Sequence, residues 1–297
     1  MIMSESIANY NVPEDHVKTL EKNVKNMLKT KLAGKTERSL SSCVSHREYG
    51  GKGPRNRVID YLGPVEFIER KNSSQDTVLQ LDGSTRRWVF MKEAEPSISI
   101  IRPDELKKTN EKDPPCVERM CKEIVRKMDA FIMNAFFATV KTDRLDTIEF
   151  NTDNVVPKEN SGLTLQKLKA VRELMIERHA DLKDHCKYIA VTADDLADLR
   201  ESAEPSAYKR NVELLVDGQI TNFKGFTFVR YEGVSREAGN ARKLPVWVSD
   251  GMHLGIWQWP KIVIYPPVDE DNRPRVHTTL VAGATRLDED SVFQIEV

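Results

Sequence analysis

Residues 114–140 read PPCVERMCKEIVRKMDAFIMNAFFATV, and this stretch decides the architecture. Val117, Met120, Cys121, Ile124, Met128, Phe131, Ile132, Ala135 and Phe136 recur at three- and four-residue intervals, the period of a helix with one broad apolar stripe. Pro114 and Pro115 suit its first turn, where an N–H would have no intrahelical partner. At about 1.5 Å per residue the helix is roughly 40 Å long, enough to act as a structural spine. A short strand is expected at Ser97–Ile101 and a charged turn at Asp104–Asp113.

On the N-terminal side of the spine, Pro13 opens a second helical pattern and Gly34 closes it. Val17, Leu20, Val24, Leu28 and Leu32 fall on one face, and Lys18, Lys22, Lys25 and Lys29 on the other. The pattern predicts an amphipathic helix outside any domain, part of an arm over residues 1–54. From His16 to Arg57 there are eleven Lys or Arg against three Glu, a local charge of +8. Such a face is either simply solvated or meets a partner or polyanion. Ser39–Asn56 is rich in Ser, Gly and basic residues and reads as loop. Strand-like runs follow at Val58–Ile68, Thr77–Leu81 and Trp88–Met91, the last two separated by the turn signal Asp82-Gly83. A long two-stranded hairpin is not stable alone, so residues 55–92 are expected to lie on their own core or on another subunit.

On the C-terminal side, Lys141–Gly162 is polar and irregular and reads as a boundary. Thr164 caps a predicted helix to about His179, Tyr188–Val191 reads as a buried strand, and Thr192 with Asp195 forms a capping-box pattern. Tyr208–Leu214 is helical, Phe226–Val229 is a strand, and Gly233–Lys243 is a loop. Strand character returns around Val246–Trp257, at Ile262–Tyr265, at Val276–Ala282 and at Ser291–Val297.

The whole chain has 297 residues, 45 Lys plus Arg against 46 Asp plus Glu, and 39% hydrophobic residues, a composition that forms packed cores rather than a disordered tract. About two domains are expected from the length. No run approaches the 20 or so apolar residues of a membrane span, and the N-terminus reads as polar rather than as a secretory signal. Cys43, Cys116, Cys121 and Cys186 make no disulfide framework, and Cys116 and Cys121 read as buried thiols more readily than as half of a metal site. His179, His185 and Cys186 form the other soft-ligand cluster, with a weak claim to zinc. Gly34-Lys35-Thr36 lacks the upstream Gly of a phosphate loop, since that position is Lys29. Asp143 with Asp146, and Asp194 with Asp195 and Asp198, read as caps and solvated turns, and Trp247, Trp257 and Trp259 as core and interface. No catalytic, cofactor or metal constellation emerges. An arm and a hairpin without a site describe a chain built for assembly, because symmetric oligomers cover such exposed elements.

Four stretches in order then resemble the major capsid protein of tailed bacteriophages, the Hong Kong 97-type capsid fold. The first is Arg86-Arg87-Trp88-Val89 leading through Ile98, Ile101 and Asp104 to the helix with Lys127, Asp129 and Phe131. The second is Leu163-Thr164-Leu165 to Leu174, then Tyr188-Ile189-Ala190-Val191. The third is Tyr208-Lys209-Arg210-Asn211 to Gly218-Gln219-Ile220 and Gly225-Phe226, and the fourth is Gly283-Ala284-Thr285-Arg286 with Val292–Val297. The resemblance covers about Val58 to Val297. It implies an α+β fold with an N-terminal arm (1–54), an extended β-hairpin loop (55–92), a peripheral domain (93–160 and 262–297) holding spine helix 114–140, and an axial domain (161–261).

The function so implied is that of a non-enzymatic shell protein without cofactor, self-assembling into the hexamers and pentamers of an icosahedral phage head around double-stranded DNA. Arg70, Lys71, Asp82, Gly83, Arg86 and Arg87 are the expected subunit-interface residues of the loop. Lys18, Lys22, Lys25 and Lys29 are the residues expected to face a partner or DNA. A separate scaffolding protein, a portal and decoration proteins are the other implied partners. The arm looks too short for a fused scaffold, and the family's Lys–Asn crosslink is not carried over to Lys71 and Asn72. The location implied is the virion, after assembly in the host cytoplasm. The alternatives are the shell of a cellular nanocompartment with the same fold, a basic-arm nucleic-acid-binding protein, and, more remotely, an α/β enzyme.

Overall fold

The computed structural model describes residues 14–33, 39–50, 56–61, 85–94, 97–99, 115–142, 146–159, 161–180, 186–203, 208–234, 242–265 and 275–297. In chain order these contain helix α1 (Glu14–Leu32), a 3-10 turn (Leu40–Ser42) and strands β1 (Ser45–Glu48), β2 (Asn56–Tyr61), β3 (Thr85–Phe90), β4 (Lys92–Ala94) and β5 (Ser97–Ser99). The spine helix α2 (Pro115–Phe136) follows, then the short strands β6 (Val140–Lys141), β7 (Thr147–Ile148) and β8 (Val155–Val156). Helix α3 (Leu165–Glu177), β9 (Lys187–Val191), α4 (Ala193–Ser202), α5 (Lys209–Val216), β10 (Asn222–Phe223), β11 (Phe226–Arg230) and β12 (Lys243–Val248) come next. The chain closes with β13 (Met252–Tyr265), β14 (Arg275–Arg286) and β15 (Val292–Glu296).

Two sheets organise these elements. One runs β1-β13-β14-β4, with β5 also on β14, and the other runs β10-β11-β9-β12-β15-β8. Sheet membership cuts the chain differently from the boundary expected between residues 261 and 262. β13 opens at Met252 and lies wholly in the first sheet, while β15 lies between β12 and β8 in the second. Only the 3-10 turn Ser249–Gly251 separates β12 from β13, so no change of composition marks the crossing. The expected boundary at 141–162 likewise contains β6, β7 and β8.

Local signals in the second unit operate as the sequence reads. Thr164 Oγ1 accepts from Lys167 N at 3.3 Å and caps α3. Thr192 and Asp195 form the reciprocal capping box of α4. Asp195 is fully buried, and Arg242 Nη2 donates to it at 2.6 Å. Gly218 has φ of +78° because α5 ends in a Schellman motif, with Gln219 N donating to Leu214 O at 2.9 Å and Gly218 N to Leu215 O at 3.1 Å. A side chain with a Cβ resists that conformation, which gives the Gly218-Gln219-Ile220 stretch its physical meaning.

The largest departure concerns α1. Its apolar face does not stand outside the core. Leu20, Val24, Leu28 and Leu32 are at most 4% exposed and pack in one continuous cluster with α2 and both sheets. Cys121 lies beneath α1, its Sγ 3.7 Å from Val24 O, and burial pushes its thiol up to about 12, which makes it an inert core thiol. The lysine periodicity predicts the helix correctly but carries no information about what covers the opposite face. The apolar stripe of α2 is wide enough to hold both α1 and β14.

Candidate assembly surfaces

The segment after α1 is tied down by buried polar contacts. Ser41 N donates to Asp129 Oδ1 at 2.8 Å on the spine helix. Burial pushes the Asp129 carboxyl up to about 6, against the pull of the Ser41 and Leu40 N–H groups. Trp247 Nε1 donates to Cys43 O at 2.9 Å. β1 then pairs in parallel with β13, Ser45 opposite His253 and Glu48 opposite Ile256. Ser45 Oγ donates to Met252 O at 2.8 Å, so at 3.0 Å from His253 Nδ1 it acts as acceptor. Nδ1 therefore carries the proton, and the bare Nε2 accepts from Tyr49 OH at 3.0 Å. Burial, with His46 and Arg47 nearby, pushes the His253 pKa down to about 4, so the ring is neutral near pH 7.

The four lysines of α1 divide into two pairs. Lys25 and Lys29 place Nζ 5.8 and 5.5 Å from the centre of the Trp259 ring, and Lys29 meets Glu48 at 3.0 Å. Lys18 and Lys22 stand exposed one and two turns earlier. Lys25 and Lys29 are thus committed to the subunit's own surface.

The hairpin is present at its root. β2 pairs with β3 antiparallel, Asn56 opposite Phe90 and Tyr61 opposite Thr85. Arg70, Lys71, Asp82 and Gly83, with the expected Asp82-Gly83 turn, lie outside the described residues. Among the described residues the two strands form a sheet of their own, apart from a single bridge between Arg87 and Thr142. Val89 plugs this ribbon into the first sheet, fully buried between Trp257 and Val281. The backbone passes so close to β14 that a Cβ on Gly283 would sit 2.1 Å from Phe90 O.

The two neighbouring arginines of β3 have different fates. Arg86 is exposed, but Arg87 is 3% exposed and turned inward, its Nη1 donating to Glu289 Oε1 at 3.3 Å and its Nη2 paired with Oε2 of the same carboxylate. Arg286, fully buried, donates from Nε to Glu289 Oε1 at 3.0 Å. Its Nη1 donates to the carbonyl oxygens of Phe136 at 2.6 Å and Ala138 at 3.1 Å, capping the spine helix. Asn154 Nδ2 donates to Glu289 O at 2.7 Å and fixes the turn that carries the carboxylate. Two guanidiniums thus share one carboxylate at the place where ribbon, spine helix and C-terminal strands meet. Gly283 and Arg286 are legible in the sequence only through the resemblance, and Glu289 and Asn154 carry no local signal at all.

Among the described residues no group of His, Cys, Asp and Glu could hold a metal ion, and Cys186 is exposed on the surface. No helix there is long and apolar enough to cross a membrane.

The sequence matches the family model for phage capsid protein over residues 18–297. No curated protein matches it significantly. Among solved structures, the capsid of Ralstonia phage GP4 superposes with a TM-score of 0.62 at 9% identity, over 86% of this chain and 87% of that one. Mycobacterium phage Ogopogo gives 0.59 at 13% identity, over 88% and 92%. A virus-like particle from Pyrococcus furiosus gives 0.53 at 10% identity, over 95% and 98%. Identities this low establish the shared α+β capsid fold, and the family match over nearly the whole length establishes the kinship: the chain belongs to the phage capsid protein family.

Proposed function

We propose that this chain is a major capsid protein, which forms the hexamers and pentamers of a closed icosahedral head around double-stranded DNA. One observation carries the reading. The β2–β3 ribbon is locked at its root by Val89, Gly283 and the Arg87–Glu289 pair, yet among the described residues its strands pair with each other and, beyond that, only with Thr142. A two-stranded ribbon needs cover, and a neighbouring copy in a symmetric array supplies it. Arg86 and the loop residues Arg70, Lys71, Asp82 and Gly83 are the proposed contacts, whereas Arg87 serves as the anchor. Lys18 and Lys22 are the part of α1 that would meet DNA or an acidic segment of a separate scaffolding protein. A portal and decoration proteins would complete a virion assembled in the host cytoplasm. Many weak contacts suffice in such a shell because they act together.

The test is electron microscopy and sedimentation of the expressed chain, alone and with its phage's scaffolding protein. Closed shells are expected, and a monomer or small oligomer under both conditions overturns the proposal. A second reading, the shell of a cellular compartment with protein cargo, draws support from the virus-like particle's coverage of nearly the whole chain. The particle's contents discriminate: packaged DNA supports the head, and a protein cargo supports the compartment.

A further inference from the structure

An open groove of about 110 Å³ lies at the root of the β2–β3 ribbon, bounded by Trp88, Phe90 and Lys92 on one side and by Ala138, Lys141 and Ala284 on the other. Arg87 and Val89 point into the subunit, so the alternation of a strand turns Trp88 and Phe90 to this opposite face. Phe90 is 40% exposed, and few large apolar side chains of the described residues are so uncovered. Trp88 Nε1 is buried and has no acceptor among the described residues. Lys92 and Lys141 stand at the rim, each Nζ 5.9 Å from an aromatic ring, of Phe131 and Phe90 respectively, and neither forms an ion pair with a described residue. The groove therefore asks for an apolar side chain next to carboxylates, with an acceptor for the indole N–H.

A segment of that chemistry lies where β13 passes to β14, Pro266-Pro267-Val268-Asp269-Glu270-Asp271, with three consecutive carboxylates after Val268. Within one copy, the length of β14 separates the strand end that carries this segment from the groove. β14 runs from Arg275, next to that segment, to Ala284 at the groove, and nine residues of strand span about 30 Å. A heterologous contact, in which one surface meets a different surface of the next copy, has no such restriction and propagates through an array. We infer that the groove at the ribbon root receives residues 266–271 of a second copy, with Val268 against Phe90 and the three carboxylates at Lys92 and Lys141. This contact rests on the shell reading above and names one of its interfaces.

The test uses assembled particles of the full chain with Phe90 replaced by the photo-crosslinker p-benzoylphenylalanine, built from a mixture of isotopically heavy and light chains. The expected result is a cross-link from position 90 to the 266–274 peptide of the other isotope. A cross-link to any other segment, within one chain only, or none in particles that form, overturns the inference and leaves the shell reading standing. Failure of the unmodified chain to form particles overturns both. As a second arm, Lys92→Glu with Lys141→Glu should abolish the cross-link, and adding Asp269→Lys with Asp271→Lys should restore it. Both lysines are exposed, so these changes spare the fold; a cross-link that survives the first pair of substitutions counts against the charge argument and the proposal.

Discussion

Arg286 Nη1 donates to Phe136 O at 2.6 Å, which places a fully buried guanidinium on the last turn of the spine helix. The same side chain shares Glu289 with Arg87, so a single carboxylate compensates two inward-facing charges. Arg286 Nη2 and Arg87 Nε have no partner among the described residues, which leaves this cluster little to spare. Glu289→Gln should destabilise the subunit by about 3 to 5 kcal/mol, the usual cost of removing one partner from a buried pair. Denaturant unfolding measures it, and a loss near zero would show that solvent already compensates the arginines.

Gly283→Ala should misplace the ribbon. The added methyl would meet the Phe90 carbonyl oxygen at 2.1 Å, and backbone cannot yield as a side-chain tip can. The expected cost is on the order of 2 kcal/mol, with assembly impaired beyond what the stability loss explains. Ala284→Gly, one residue along the same strand, controls for strand flexibility. Equal behaviour of the two variants would count against the close approach.

Asp129 and His253 bind the same N-terminal segment and titrate in opposite senses. The folded pKa of Asp129, raised from 3.8 to about 6, lends stability that is full below pH 3.8 and lost as pH rises through 6. The folded pKa of His253, lowered from 6.5 to about 4, lends stability that is full above pH 6.5 and lost as pH falls through 4. Tyr231 faces the first group, and His46 and Arg47 face the second. The two contributions nearly cancel in the intact chain. Relative to it, Asp129→Asn should lose roughly 2 kcal/mol between pH 7 and pH 4, and His253→Gln should gain a similar amount. Thermal melts across that range check the signs, and parallel curves for all three proteins would refute the opposition.

Leu28→Ala in α1 should cost about 3 kcal/mol, as for any large core residue. A helix free of the core would lose almost nothing. By the same argument, removal of residues 1–52 exposes the stripe of α2 and deprives β13 of its parallel neighbour, so the truncated chain should aggregate or melt early rather than persist as a folded subunit. Circular dichroism and gel filtration distinguish these outcomes.

Lys18→Glu with Lys22→Glu should leave the melting temperature nearly unchanged, because both side chains are exposed. If they meet a polyanion, the variant should package DNA or recruit scaffold less well and show a shallower salt dependence than the intact chain. Unchanged packaging at every salt concentration would remove these residues from the proposed interface.

The sequence by itself determined what local physics determines. The three-and-four spacing from Val117 to Phe136 fixed the spine helix, Thr164 and the Thr192–Asp195 pair fixed two helix starts, and Gly218 fixed a helix end. These signals act over a few residues, so a reader of the chain finds them without knowing the fold. Only the tertiary structure decided that α1 is core rather than free arm, because an apolar stripe shows that something covers it but not what. Only it revealed that β13 and β15 lie in different sheets, since strand pairing depends on partners far along the chain. The same holds for Arg87. Its neighbour Arg86 carries the same charge and type, and the two part company because successive residues of a strand face opposite ways, one to solvent and one to a carboxylate some 200 residues on.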